Sequence, residues 1–212
     1  MSDKIQKIIN AFYAAKRVDH YYWMHTDGDF GQVSIENIQR IIEILTSTKI
    51  EKFELDHDSR FHRAFVERFD EGRTSKIYVM ASENPSWKRF SSVKEMCHVL
   101  IDEPGDFQPD PCKTIHELKD GAIIFDENAA PETESEGLAE IIAMELIYPL
   151  DYRREDREKL KEGISLEDIA RERVVPAKYV SLGTSDTWFK SCLSIWQNLK
   201  SVEPENLDDY LK

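Results

Sequence analysis

Cysteine is scarce: Cys97, Cys112 and Cys192 are the three in 212 residues, odd in number and far apart, with no CxxC pair among them. That pattern argues against a disulfide framework, rules out a cysteine-rich zinc site, and suits buried or free thiols in a reducing compartment. Long apolar runs are also missing. The longest, Ala139 to Leu150, is interrupted by Glu140 and Glu145 and falls well short of the roughly 20 residues a membrane span needs. Met1 to Lys16 has lysines on the polar side of an amphipathic helix and lacks the apolar core and small-residue cleavage site of a secretory leader. The expected location is therefore cytoplasmic, with no membrane partner. Basic charge is in deficit, with 28 Lys and Arg against 41 Asp and Glu, a net −13. Such a field repels phosphate backbones, which disfavours direct nucleic-acid binding and favours a basic partner.

The chain is long enough to bury a sizeable core without staples. Apolar spacing predicts a helix from Asp3 to Lys16 on Ile5, Ile8, Ile9 and Phe12, and a second from Ser34, an N-cap, on Ile35, Ile38, Ile41, Ile42 and Leu45. Between them His20-Tyr-Tyr-Trp-Met-His25 reads as an interhelical plug of core aromatics in preference to a binding surface. The period then shortens. Phe53–Leu55, Ala64–Phe69 and Ile77–Met80 read as strands of a small antiparallel sheet, the last two joined by a turn at Asp70-Glu-Gly72. His57 and His62, near the first turn, have no partner at ligand spacing and read as exposed. Trp87–Ile101 is the next helix, and 102–131 is Pro/Gly-rich loop with a helical turn at Thr114–Lys119 and an extended piece at Ala122–Phe125. Glu132–Ile147 is helical, Tyr152–Lys161 is almost wholly charged, and Ser165–Arg171, Pro176–Leu182 and Ser185–Leu199 follow as helices ahead of an acidic tail. One compact α+β unit is expected, with an N-terminal helical segment (1–50), a core (51–150) and C-terminal helices packed on it (151–212).

One segment carries chemistry. Arg89-Phe-Ser-Ser-Val-Lys-Glu-Met-Cys-His98-Val-Leu closely resembles the ImmA/IrrE metallopeptidase segment, in which Arg-Phe opens a helix bearing HExxH followed by an apolar pair. The resemblance runs from about Phe53 to Leu182. It takes in the strand Lys76–Val79 ahead of the helix, the later helix ending Ala143-Met-Glu-Leu-Ile-Tyr-Pro149, and the pair that begins Ser165-Leu-Glu-Asp-Ile-Ala170. It implies a zincin-like core, with the small sheet packed on the motif helix.

In a helix two histidines four apart grip one zinc ion while the glutamate after the first activates the bound water. Here the first histidine position is Lys94, and Glu95 and His98 remain. A protonated lysine has no lone pair to give, and its ammonium repels the dication it replaces. The resemblance also implies a third ligand, a glutamate on the later helix. Counting back without gaps from Pro149 puts Leu138 there; Glu136 and Glu140 flank it, each rotated by about 200° on ideal geometry. The residues of the cleft are thus Lys94, Glu95, His98, Glu136 and Glu140. Lys94 either pairs with Glu95 or Glu136 where the metal would be, or snorkels to solvent. His98 reads as a hydrogen-bonded core histidine ahead of a ligand. Cys97 points about 100° away from its helical neighbours and is not a nucleophile by this reading.

Two further patterns are set aside. His116-Glu-Leu-Lys-Asp120 begins like HExxH but ends in aspartate, and Ser165–Leu182 has the outline of half a helix-turn-helix without a basic recognition helix. What the resemblance implies is a degenerate peptidase that carries no cofactor and binds a protein partner, for example a basic helix-turn-helix repressor in a mobile-element or stress-response setting. The alternative is an active zinc metallo-endopeptidase, with Glu95 as general base and His98 and Glu136 on the metal. A structural subunit of a mobile-element assembly is the third expectation.

Overall fold

The computed structural model describes residues 3–25, 33–56, 63–102 and 131–199. His57, His62, Cys112, His116, Asp120, the loop pieces at 114–119 and 122–125, and the acidic tail lie outside them. Eight helices and one three-stranded sheet make up the described chain, an α+β arrangement that is mostly helical. No helix among the described residues is long and apolar enough to cross a membrane.

Helix α1 (Asp3–His25) runs well past Lys16 and takes in the aromatic run. That run is therefore no interhelical plug. A helical period of 3.6 places Tyr22 on the buried stripe of Ala11, Ala14, Ala15 and Val18, and turns Trp23 and Met24 outward to 48% and 64% exposure. Helix α2 (Ile35–Thr46) starts as its sequence predicts: the Ser34 hydroxyl accepts from Asn37 N at 3.3 Å, and Ile38, Ile41 and Ile42 are buried.

The sheet departs from expectation. Strands β1 (Lys49–Leu55), β2 (Ala64–Phe69) and β3 (Thr74–Met80) lie in the order β1-β3-β2, with β2 antiparallel to β3 and β1 parallel to it. The sheet is mixed, not antiparallel, because the β2–β3 hairpin folds back so that its second strand takes the centre. Between β2 and β3 a single 3-10 turn, Asp70–Gly72, carries three successive residues at positive φ (54°, 58° and 85°), of which only Gly72 adopts that region without a Cβ penalty. Ile50, Ser75, Ile77 and Val79 are buried on one face of the sheet, and on the other Phe53, Tyr78 and Phe65 stack across all three strands at one rung.

Helix α3 (Pro85–Ile101) is capped by Asn84, whose side chain accepts from Trp87 N at 3.0 Å, with Pro85 in its first turn. It packs against β2, β3, α2 and α4 (Pro131–Ile147). From Ala139 onward α4 is buried except for Glu140, which explains why its apolar run has no clear amphipathic period: it is a central helix. Helices α5 (Leu150–Lys161), α6 (Leu166–Arg173), α7 (Ala177–Thr184) and α8 (Asp186–Leu199) complete the described chain. Arg89 ties the second turn of α3 to the end of α6, donating to the carbonyls of Arg173 (3.2 Å), Val174 (3.4 Å) and, ahead of α2, Val33 (3.0 Å). Phe90 beside it stacks on Tyr179 of α7 at 3.7 Å between ring centroids. The α6–α7 pair that resembled half of a helix-turn-helix buries Ile169, Ala170, Tyr179 and Val180 in the core, in keeping with a packing role.

Candidate functional site

The motif helix turns Lys94, Glu95 and His98 toward α4, since residues three and four apart share a helix face. Lys94 Nζ stands 2.5 Å from Glu136 Oε2 and 3.0 Å from Glu95 Oε1, with 15% of its side chain exposed. Burial alone would push the Lys94 ammonium down; the Glu95 and Glu136 carboxylates outweigh it and hold the group well above the usual lysine value. Lys94 is therefore a fixed cation between two carboxylates and does not snorkel to solvent.

Glu136, not Leu138, faces the motif helix: besides the Lys94 pair, its Oε1 lies 3.4 Å from His98 Nε2. Leu138 is half-buried and packs on the core. Glu140, one turn beyond Glu136, does not join the group; its Oε1 lies 3.7 Å from Lys178 Nζ on α7.

On the other side of the imidazole, His98 Nδ1 lies 3.1 and 3.2 Å from the two oxygens of Asp102, four residues on at the end of α3. Ser135 of α4 donates to Asp102 Oδ1 at 2.5 Å and lies 3.2 Å from the same ring nitrogen. Arg68 of β2 donates to Asp102 Oδ2 at 2.7 Å and to the His98 carbonyl at 3.0 Å. Burial pushes the His98 pKa down, but Asp102 and Glu136 more than offset it and raise it to about 9, so the ring is an imidazolium at neutral pH. Burial raises the Asp102 and Glu136 carboxyls, and their cationic neighbours, His98 and Arg68 for the one and Lys94 and His98 for the other, carry both below the ordinary range.

The cluster thus sets three cations, Arg68, Lys94 and protonated His98, against three anions, Glu95, Asp102 and Glu136. A buried set of charges persists only when it is paired and hydrogen-bonded, and this one is. One polar atom is left over. His98 Nε2 is buried with no hydrogen bond of good geometry, its nearest acceptor being Glu136 Oε1 at the 3.4 Å given above. Sequence reasoning missed Arg68, Asp102 and Ser135. Asp102 was legible as the residue one turn after His98; Ser135 and Arg68 carried no signal, because only tertiary packing brings α4 and β2 to the ring.

Zinc fits this donor set poorly. Among the described residues no three His, Cys, Asp or Glu side chains converge to hold a metal ion. An ammonium occupies the centre, and an imidazolium has protons on both nitrogens where a ligand needs a lone pair. Cys97, fully buried, has its thiol pushed far up by that burial and is no nucleophile at neutral pH. Searches for similar proteins return nothing: no family model, no curated protein and no solved structure matches the chain.

Proposed function

We propose that this chain is a catalytically silent relative of the ImmA/IrrE metallopeptidases, built on a zincin-like core, in which the ammonium of Lys94 stands in for the metal ion and the cleft serves to bind a protein partner. The single observation that supports this reading is the Lys94 nitrogen held 2.5 Å from Glu136 and 3.0 Å from Glu95 beside His98. A monovalent cation fixed by the chain satisfies the same carboxylates that a dication would, without lowering the pKa of any water, so the scaffold is kept and the nucleophile is lost. The net charge of −13 favours a basic partner by steering, and a DNA-binding repressor is the class the resemblance suggests.

One observation favours the second reading, an active zinc metallo-endopeptidase: Glu136 faces the unpartnered His98 Nε2, as two ligands of one metal would. Against it stand the protonation of His98 and the position of Lys94. Metal content after purification from zinc-supplemented medium decides between them. The wild-type chain is expected to carry no zinc, and Lys94→His is expected to take it up near one equivalent, with loss on adding His98→Ala. Stoichiometric zinc in the wild-type protein that disappears in His98→Ala ends the proposal.

A further inference from the structure

Strand β1 is hydrogen-bonded on one side only, to β3, and forms an edge of the sheet. The bonds at its two ends, Lys49 N to the Arg73 carbonyl at 2.8 Å and Ala81 N to the Leu55 carbonyl at 2.9 Å, fix which residues face β3. In a parallel pair the alternation gives Lys49, Glu51, Phe53 and Leu55 to β3 and turns the peptide groups of Ile50, Lys52 and Glu54 to the outside. Helix α2 answers the first of these: Ile50 N donates to Glu43 Oε1 at 2.7 Å, and the Ile50 carbonyl accepts from Gln39 Nε2 at 2.9 Å. The N–H and C=O groups of Lys52 and Glu54 have no such partner among the described residues. An uncovered row of this kind is a template for another strand.

The side chains along this stretch are complementary to themselves. Pairing β1 antiparallel with a copy of itself so that Lys52 lies opposite Glu54 also sets, by two-fold symmetry, Glu54 opposite Lys52 and Phe53 opposite Phe53. Lys52 and Glu54 then form the hydrogen-bonded pairs, and every free peptide group of one copy meets one of the other. The two Phe53 residues take the closer, non-bonded site, with Cα atoms about 4.5 Å apart. Lys52 is exposed and makes no ion pair among the described residues; Glu54, 60% exposed at its side chain, holds Lys88 Nζ at 2.8 Å through Oε2 and keeps Oε1 for a second cation. Phe53 is 40% exposed and stacks on Tyr78 at 5.5 Å, which stacks on Phe65 at 4.9 Å. A facing Phe53 prolongs that ladder across the joint into the second sheet. Sliding to the next bonded register either way sets Lys52 against Lys52 or Glu54 against Glu54, so a single register satisfies the charges. Lysine on an edge strand ordinarily deters pairing, and here Glu54 answers it.

We infer that β1 is a self-association edge: two copies of this chain join their sheets across a two-fold axis at Phe53, through the free peptide groups and the reciprocal Lys52–Glu54 pairs. The net charge of −13 opposes approach at long range. At physiological salt that repulsion is screened beyond about 8 Å, and the pairs at the joint act inside that distance.

The test is sedimentation equilibrium of the full chain from micromolar to near-millimolar concentration at physiological salt, with circular dichroism to check the fold of each variant. The wild-type chain is expected to form a reversible dimer. Lys52→Glu alone and Glu54→Lys alone each turn the attractive pairs into repulsive ones, and each is expected to weaken the dimer about tenfold or more. An equimolar mixture of the two variants restores opposite charges at every pair, and its heterodimer is expected to regain most of the wild-type affinity. A misfolded variant is not rescued this way. Net charge alone forecasts a different order, with Glu54→Lys, the least negative of the three chains, associating most tightly. A wild-type chain monomeric throughout the range, a dimer that either variant leaves unchanged, or a mixture no tighter than its components overturns the inference.

Discussion

Lys94→Met removes the ammonium at the centre of the cluster and keeps an unbranched side chain of similar length. Glu95, 4% exposed at its side chain, and Glu136, 28% exposed, then face one another with one cation fewer between them. Deleting one partner of a buried pair costs about 3–5 kcal/mol, most of it the penalty of leaving the other charge uncompensated. Glu136 retains some solvent and the His98 imidazolium, which places the expected loss at the low end, about 3 kcal/mol. For a chain of 212 residues that loss corresponds to a fall in Tm of roughly 6–12 °C, taking about 2–4 °C per kcal/mol. Urea unfolding at neutral pH, followed by tryptophan fluorescence and far-UV circular dichroism together, measures it. The triple variant Lys94→Met, Glu95→Gln, Glu136→Gln removes the stranded charges as well, and most of the loss is expected to return, because a whole ion pair replaced by neutral groups is often close to neutral in stability. A single variant within about 0.5 kcal/mol of the parent, the range of an ordinary surface change, refutes the reasoning. So does a triple variant no more stable than the single one.

The remaining predictions concern pH and packing. The folded pKa of His98 is raised to about 9 from an ordinary 6.5, so the stability it contributes is fully present below the unfolded value and is lost as pH rises through about 9. With the ring facing Asp102, Glu136, Ser135 and Lys94, the unfolding free energy is expected to fall by about 3 kcal/mol over that window, at 1.36 kcal/mol per unit. His98→Gln flattens the slope, and a ring-proton titration midpoint below pH ~7, near the free histidine value, sinks the prediction. A Cβ on Gly183 would lie 2.7 Å from Met144 Cε, 2.9 Å from Tyr148 Cε1 and 3.1 Å from Arg153 Cδ. Gly183→Ala is therefore expected to lose about 1–2 kcal/mol, overpacking outweighing the roughly 1 kcal/mol that alanine contributes in a helix; a more stable variant in urea would contradict it.

The charged helix α5 shows how far local reading reaches. Its sequence, from Tyr152 to Lys161 almost wholly charged, gives no hint that Arg153 and Asp156 are both fully buried. Arg153 donates to Glu145 Oε1 at 2.6 Å and to the Tyr148 carbonyl at 2.7 Å, Trp196 holds the other Glu145 oxygen at 2.8 Å, and Arg173 grips Asp156 at 2.8–3.2 Å. Charge is a property of a residue, whereas burial of a charge depends on which partner the fold delivers to it. The aromatic run at the end of α1 errs the other way: bulk suggested burial, and helical phase gave it to Tyr22 while withholding it from Trp23.

Most of the helices, the capping residue Ser34, the strand pair joined at Asp70–Gly72, and the Lys94-Glu95…His98 spacing on one helix could all be read from the chain alone. Each depends on contacts a few residues apart, and a period of two or 3.6 is written into that interval. The parallel pairing of β1, the turning of Glu136 instead of Leu138 toward the motif helix, and the arrival of Arg68 and Ser135 around His98 and Asp102 were decided only by tertiary structure. Lys94 and Glu136 are 42 residues apart, and the rotational phase of one helix against another is set by how their buried faces interlock, which no local period encodes.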